Sequence, residues 1–204
     1  AKSEIINNIV KDGSIVLNAD DKFYNFHKKI ALKKKLKIYS FSIKKKNATV
    51  RLNYIKKNKL KYDISVIANN QKKIFTIPFN SENNIINLLA AISLISIFMD
   101  INNLKKNIFN NYKIPDGRGD ISQIKIYKKK FYLIDESYNS NPLSLRSAIN
   151  NFDSIDTKKN KKYLVLGDML ELGKKSKNLH SQFSSIINFS SIDSLSIVGK
   201  YVKE

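Results

Sequence analysis

The 204-residue chain contains no cysteine, which excludes disulfides and thiolate metal sites and fits a reducing compartment. Long apolar runs are missing too. The longest, 85–99, is interrupted by Asn87 and Ser93 and falls short of the roughly 20 residues that a membrane-spanning helix needs. No basic-then-apolar leader opens the sequence, so membrane insertion and export are not expected, and a cytoplasmic location is. Acidic residues are few, 17 against 37 Lys and Arg, for a formal net charge of +20. A nucleic-acid binder would use such an excess to neutralise phosphates. Here, however, the excess is almost all Lys and accompanies abundant Asn and Ile, the residues of AT-rich codons. The basic runs 33–35, 44–46, 128–130 and 158–162 fall in expected turns or strand ends. A solvated surface without specific nucleic-acid binding is the expectation, and a basic nucleic-acid-binding module is the alternative from another class.

Proline and glycine are scarce, at three and six residues, yet Pro115, Gly117 and Gly119 crowd into 113–120, which has no apolar periodicity. A hinge or domain boundary is expected there, with one domain at 1–113 and another at 114–204. In the first, the pattern suggests a short helix over 2–10 and a buried strand over 14–17. A helix over about 27–32, capped by Asp20 or Asp21, and a strand over 36–41 would complete a β-α-β unit. Alternation over 50–54, 62–66 and 74–77 predicts three antiparallel strands. Helical spacing then suggests helices over 83–99 and 101–109. Beyond the hinge come expected strands at 121–126 and 131–134, a helix at 142–152 with Pro142 in its first turn, a strand at 163–166, a helix at 180–187 and a strand at 194–198. Strand–helix alternation predicts an α/β fold with a parallel, Rossmann-like sheet.

Three segments carry candidate chemistry. Strand 131–134 delivers Asp135, Glu136, Ser137, Tyr138, Asn139, Ser140 and Asn141 into a loop before a helix, the end of the strand where α/β sheets hold ligands. Strand 163–166 likewise runs into Gly167-Asp168-Met169-Leu170-Glu171-Leu172-Gly173, with His180 beyond. In Gly117-Arg118-Gly119-Asp120, glycine permits close backbone approach and Arg118 offers a planar donor fork to phosphate. Taken singly, each is also what an ordinary turn uses.

Together, in this order, they resemble the Mur ligase family, and specifically its branch that adds D-alanyl-D-alanine. That branch carries a Gly-Arg hinge, then Tyr-Asn-x-Asn-Pro, matched by Tyr138-Asn139-Ser140-Asn141-Pro142, then Gly-Asp-Met-x-Glu-Leu-Gly with a following His. Sister ligases and the folylpolyglutamate synthetases typically have Ala-His wording in place of Tyr-Asn-x-Asn-Pro. Upstream, Ala1-Lys2-Ser3-Glu4-Ile5 is similar to a family segment whose Lys is carbamylated in several members, which makes Lys2 a candidate Mg²⁺-holding and catalytic residue. Gly13 to Asp21 resembles a structural Gly-…-Asn-Ala-Asp-Asp element. Asn83-Asn84-Ile85-Ile86-Asn87 resembles the family's His-Asn-x-x-Asn, with Asn83 in place of His and Ser81 in place of Gly; Asn84 and Asn87 would face adenine.

The resemblance implies an ATP-dependent amide ligase whose partners are UDP-N-acetylmuramoyl-tripeptide and D-alanyl-D-alanine, with ATP and Mg²⁺, monomeric at full length. Arg118 would meet the nucleotide phosphates. Asp135 and Glu136, the latter where the family usually has Asp, would hold the ribose. Tyr138, Asn139, Asn141, Asp168 and His180 would receive nucleotide and dipeptide. An amino-acid ligase of the same superfamily with another amine acceptor is the alternative enzyme. No Gly-x-x-Gly-Lys-Ser/Thr phosphate loop occurs in these residues. The chain is therefore expected to begin inside a central ATP-binding domain, to stop within the C-terminal one, and not to turn over ATP alone.

Overall fold

The computed structural model describes residues 3–59, 61–157 and 160–203. The chain divides into two compact units, Ala1–Tyr112 and Lys113–Glu204.

The first unit opens with helix α1 (Glu4–Asn8), strand β1 (Ser14–Asn18), helix α2 (Tyr24–Lys33) and strand β2 (Lys37–Ser42). β1 and β2 pair in parallel from Ser14↔Lys37 to Asn18↔Phe41, the arrangement that a helical crossover allows. Strands β3 (Val50–Asn58), β4 (Lys61–Ala68) and β5 (Gln71–Ile77) follow. They pair antiparallel with one another as expected, and they continue the same sheet, which runs in the order β1-β2-β3-β4-β5. The short 43–49 link can join parallel β2 and β3 because they overlap only at Phe41↔Val50 and Ser42↔Arg51. β3 starts beside the end of β2 and runs onward, so the chain never has to travel back. The β4–β5 turn is Asn69-Asn70, both at positive φ, in keeping with the tolerance of Asn for the left-handed conformation that tight hairpins require.

Neither Asp20 nor Asp21 caps α2 through its side chain. Asp21 Oδ1 instead accepts from Phe23 N at 2.6 Å, in a turn before the helix. Asp20 joins the ends of β1 and β2, accepting from Ser42 Oγ at 2.6 Å and Ile43 N at 2.7 Å. Helix α3 (Glu82–Ile95) packs on the sheet and buries Ile85, Leu88, Leu89 and Ile92. It stops short of the expected Met99: the Ser96 hydroxyl donates to Ser93 O at 2.9 Å, a local bond that competes with helix continuation. The helix expected over 101–109 is also absent beyond one 3₁₀ turn, Ile101–Asn103, capped by Asp100. Its backbone serves the sheet instead, since Thr76 N in β5 donates to Lys106 O at 2.9 Å.

The second unit holds a hairpin of β6 (Asp120–Ile126) and β7 (Lys129–Asp135), helix α4 (Pro142–Asp153), strand β8 (Tyr163–Gly167), helices α5 (Ser176–Ser181) and α6 (Phe183–Asn188), and strand β9 (Ser194–Val198). The Rossmann-like parallel pairing lies in β8 and β9. β6 and β7 pair antiparallel with each other, because the two-residue link Tyr127-Lys128 is too short for a parallel crossover. The expected 180–187 helix starts earlier and breaks at Gln182, which places His180 inside α5 rather than at a helix start. Ile149, Met169 and Phe183 form the core, with Leu145, Leu164, Leu172, Ile186, Ile187 and Ile192 packed against it. Among the described residues no helix is long and apolar enough to cross a membrane.

Candidate functional site

In the second unit, the turn before β6 and the loop after β7 lie against each other. Gly119 N donates to Asp135 O at 2.6 Å, and Tyr138 N donates to Gly117 O at 3.1 Å. Gly117 N donates to Asp120 Oδ1 at 2.9 Å. Gly117 and Gly119 have φ +73° and +86°, and a Cβ on either would fall 2.8 Å from Tyr138 N or Glu136 Oε1 respectively. Gly117 is needed for its conformation and for the close approach to the Tyr138 backbone, and Gly119 for its conformation, since the Glu136 side chain can move aside.

The approach gathers Arg118, Asp120, Asp135, Glu136 and Tyr138. The Arg118 guanidinium carbon lies 4.3 Å from the Tyr138 ring centroid, a cation–π stack that orients the donor fork. Partial desolvation of Glu136, whose side chain still reaches solvent, together with Asp120 and Asp135 nearby, pushes its carboxyl above the ordinary value. Asp135 is held below its ordinary value by the hydroxyl and backbone N–H of Ser137, against a smaller opposing effect of burial. Two adjacent carboxyls thus differ in proton affinity: Asp135 is the stronger anion, and Glu136 is the one that a neighbouring cation would relieve. Asp120 was not singled out from the sequence, although it ends the Gly-Arg-Gly-Asp wording, and its carboxylate completes the group.

The other candidates have different surroundings. Asn139 is exposed and lines a recess of about 30 Å³ with Glu136, Ser140, Ser144, Leu145 and Ala148. That is room for about one water rather than a nucleotide base. Asn141 caps α4: its Oδ1 accepts from Leu143 N at 3.0 Å and Ser144 N at 3.1 Å, and Ser144 Oγ accepts from Asn141 N at 3.0 Å. Asp168 and His180 are both committed to backbone partners within this unit. In the first unit, Asn84 Nδ2 donates to Ser81 Oγ at 2.7 Å at the start of α3, and Asn87 is exposed one turn on. Lys2 lies outside the described residues. Among the described residues, no group of three or more His, Cys, Asp or Glu is placed to hold a metal ion.

Family models describe two parts of this chain: the Mur ligase middle domain matches residues 1–95, and the Mur ligase glutamate ligase domain matches 122–203. The chain belongs to the Mur ligase family. A UDP-N-acetylmuramoyl-tripeptide–D-alanyl-D-alanine ligase of Buchnera aphidicola subsp. Baizongia pistaciae is 32% identical over 205 residues, covering 100% of this Mur ligase chain and 42% of the relative. The Escherichia coli enzyme of the same name is 26% identical over 202 residues, covering 98% of the chain and 42% of the relative. This chain thus spans about two fifths of the length of the curated relatives it matches. Among solved structures, MurF from Acinetobacter baumannii superposes with a TM-score of 0.80 at 24% identity, over 100% of this chain and 42% of that one. MurF from Thermotoga maritima, in complex with ADP, superposes with a TM-score of 0.72 at 20% identity, over 96% and 42%. These likenesses establish the Mur ligase fold.

Proposed function

We propose that this chain is part of an ATP-dependent amide ligase of peptidoglycan precursor synthesis, acting in the cytoplasm, that joins D-alanyl-D-alanine to UDP-N-acetylmuramoyl-tripeptide. One observation carries the reading. Within the Gly117–Asp120 and Asp135–Tyr138 contact, a guanidinium is held on a tyrosine ring beside two carboxyls of different proton affinity. Tyr138-Asn139-Ser140-Asn141-Pro142 is the wording of the D-alanyl-D-alanine-adding branch, and the relatives named for that reaction support the choice of substrates.

In this reaction an oxygen of the tripeptide's terminal carboxylate attacks the γ-phosphorus of ATP and ADP leaves, giving an acyl phosphate. The free amine of the dipeptide then attacks the acyl carbon, the C–O bond breaks, and an amide, phosphate and a proton are released. A loose phosphoryl transition state needs cations and positioning more than a protein nucleophile. Arg118 supplies the cation, Asp135 and Glu136 accept the ribose hydroxyls, and Asn84 with Asn87 addresses adenine. Tyr138 holds the guanidinium in place, and Asn139 faces the substrates. Mg²⁺ would accompany the nucleotide as counter-ion, and the described residues hold no cluster of three or more His, Cys, Asp or Glu for it.

The test is an ADP-release assay on the protein made from its complete reading frame, with a panel of amines. Release that requires D-alanyl-D-alanine is the expected result. Turnover with a single amino acid, and none with the dipeptide, would overturn the substrate assignment.

A further inference from the structure

Three consecutive backbone N–H groups converge on one carboxylate where β8 and β9 end. Lys200 N donates to Asp168 Oδ2 at 2.8 Å, and Tyr201 N and Val202 N donate to Oδ1 at 2.9 and 2.7 Å. Successive N–H groups curled in this way form an anion-binding nest. The carboxyl ends of strands are also where open α/β sheets hold their ligands. Gly199, at φ +141°, admits the carboxylate: any Cβ there would overlap that group.

The next residue is tied down as well. Met169 N donates to His180 Nε2 at 2.8 Å, and His180 Nδ1 lies 2.8 Å from Ser176 O. One ring nitrogen accepts and the other faces a carbonyl, so these bonds suit the neutral Nδ1–H tautomer. The ring is 6% exposed in relative area with its residue, and it stacks on Tyr201 at 6.3 Å between centroids and 29° between planes. Residues 168–169, 176–180 and 199–202 therefore form a closed circuit. Between its ends protrudes a tip in which Leu170 is 73% exposed and Glu171 sits at φ +61°, a backbone that a non-glycine residue holds only against strain.

We propose that Asp168 fills this nest as a built-in anion and, with His180, clasps the loop after β8 to the loop after β9, so that both are positioning residues rather than ligand contacts. The consequence for catalysis rests on the ligase reading: with the nest already occupied, the nucleotide phosphates fall to Arg118, and the clasp fixes how the Leu170-Glu171 tip is presented to the substrates. The clasp itself does not depend on that reading. Both ring nitrogens of buried His180 already have partners, and three N–H groups take up three of the roughly four acceptor sites of the Asp168 carboxylate.

Removing the carboxylate in Asp168→Ala leaves the three N–H groups pointing at an empty place, which a small anion can take. In the 204-residue chain the variant is expected to melt several degrees lower. Formate should restore part of that loss beyond chloride at equal ionic strength, while giving the parent chain no such gain. His180→Gln can still accept from Met169 N and donate to Ser176 O, so it should keep the Met169 and Tyr201 amide resonances near their parent positions, and His180→Ala should not. Long-range ¹H–¹⁵N spectra of the parent should show the Nδ1–H tautomer. An Nε2–H tautomer, a Gln variant no better than Ala, or an Asp168→Ala variant with an unchanged midpoint or no formate response would overturn the proposal. If Asp168→Ala does not fold, the tautomer and the His180 pair still decide. None of these readouts uses nucleotide, so a failed ligase reading and a failed clasp are told apart.

Discussion

Substituting Gly117 by Ala tests the close approach on which the candidate site is built. Gly117 and Gly173 both have positive φ, +73° and +57°, so an alanine at either meets the left-handed penalty of about 1–2 kcal/mol. Their surroundings differ. A Cβ at 117 would lie 2.8 Å from Tyr138 N and 2.9 Å from Tyr138 Cβ, whereas nothing lies within 4 Å at 173. The obstacle at 117 is backbone and cannot rotate aside, so an overpacking cost of about 1–3 kcal/mol adds to the first. For a unit of this size each kcal/mol moves the melting midpoint by roughly 4–8 °C. Gly117→Ala should therefore melt about 4–24 °C below Gly173→Ala. The midpoint is best followed through amide resonances of 113–203, so that the second unit's own transition is read. Equal midpoints would refute the reasoning, because Tyr138 would then not lie on Gly117 and Arg118 would lose its stacking partner.

Because the folded state favours the protonated form of Glu136, the stability it contributes is present below its ordinary value of 4.5 and is lost as pH rises through the raised one. Glu136→Gln should thus raise the melting midpoint at neutral pH and make no difference in acid, and a variant that melts lower at neutral pH would contradict the crowding of carboxyls described. Asn141→Ala removes the side-chain half of the α4 capping box and should cost about 1 kcal/mol in denaturant unfolding. Asn141→Asp should recover most of that stability, and an Asp variant as weak as Ala would mean that the cap is not what Asn141 provides. Fluorescence titration with a labelled oligonucleotide should show binding at low salt that fades by roughly 0.2 M, as expected for a solvated lysine surface; tight binding that persists there would favour a nucleic-acid module.

Much of the fold was legible because it follows from local patterning. The apolar run over 14–17, its polar loop and the run over 36–41 already read as β-α-β, within a residue of the observed strands, and alternation located β3, β4 and β5. What failed to show locally was settled by partners distant in sequence. Residues 96–109 have helical spacing, yet Ser96 turns back on Ser93 and Lys106 O serves the edge of β5. The joining of parallel and antiparallel strands into one sheet depends on a two-residue overlap that no period reveals.

The candidate site divides in the same way. Arg118, Asp135, Glu136 and Tyr138 stand in wording that suggested shared work, and the structure brings them together within the second unit. Asn141, Asp168 and His180 read the same way in sequence, but their polar atoms face their own backbone. Residue type tells what a side chain can bond, and not whether a ligand or a neighbouring loop receives that bond. The nest at 200–202 left no trace in side-chain chemistry beyond Gly199, because its donors are peptide groups.

Isotope transfer decides whether this chain is part of a ligase that works through an acyl phosphate. The protein from the complete reading frame would be given UDP-N-acetylmuramoyl-tripeptide with ¹⁸O at both oxygens of its terminal carboxylate, together with ATP, Mg²⁺ and D-alanyl-D-alanine, and the released phosphate analysed by mass spectrometry. One ¹⁸O atom in each phosphate formed is the expected result, since the oxygen that attacks phosphorus departs with it when the amine displaces phosphate. ADP release accompanied by unlabelled phosphate would contradict the account.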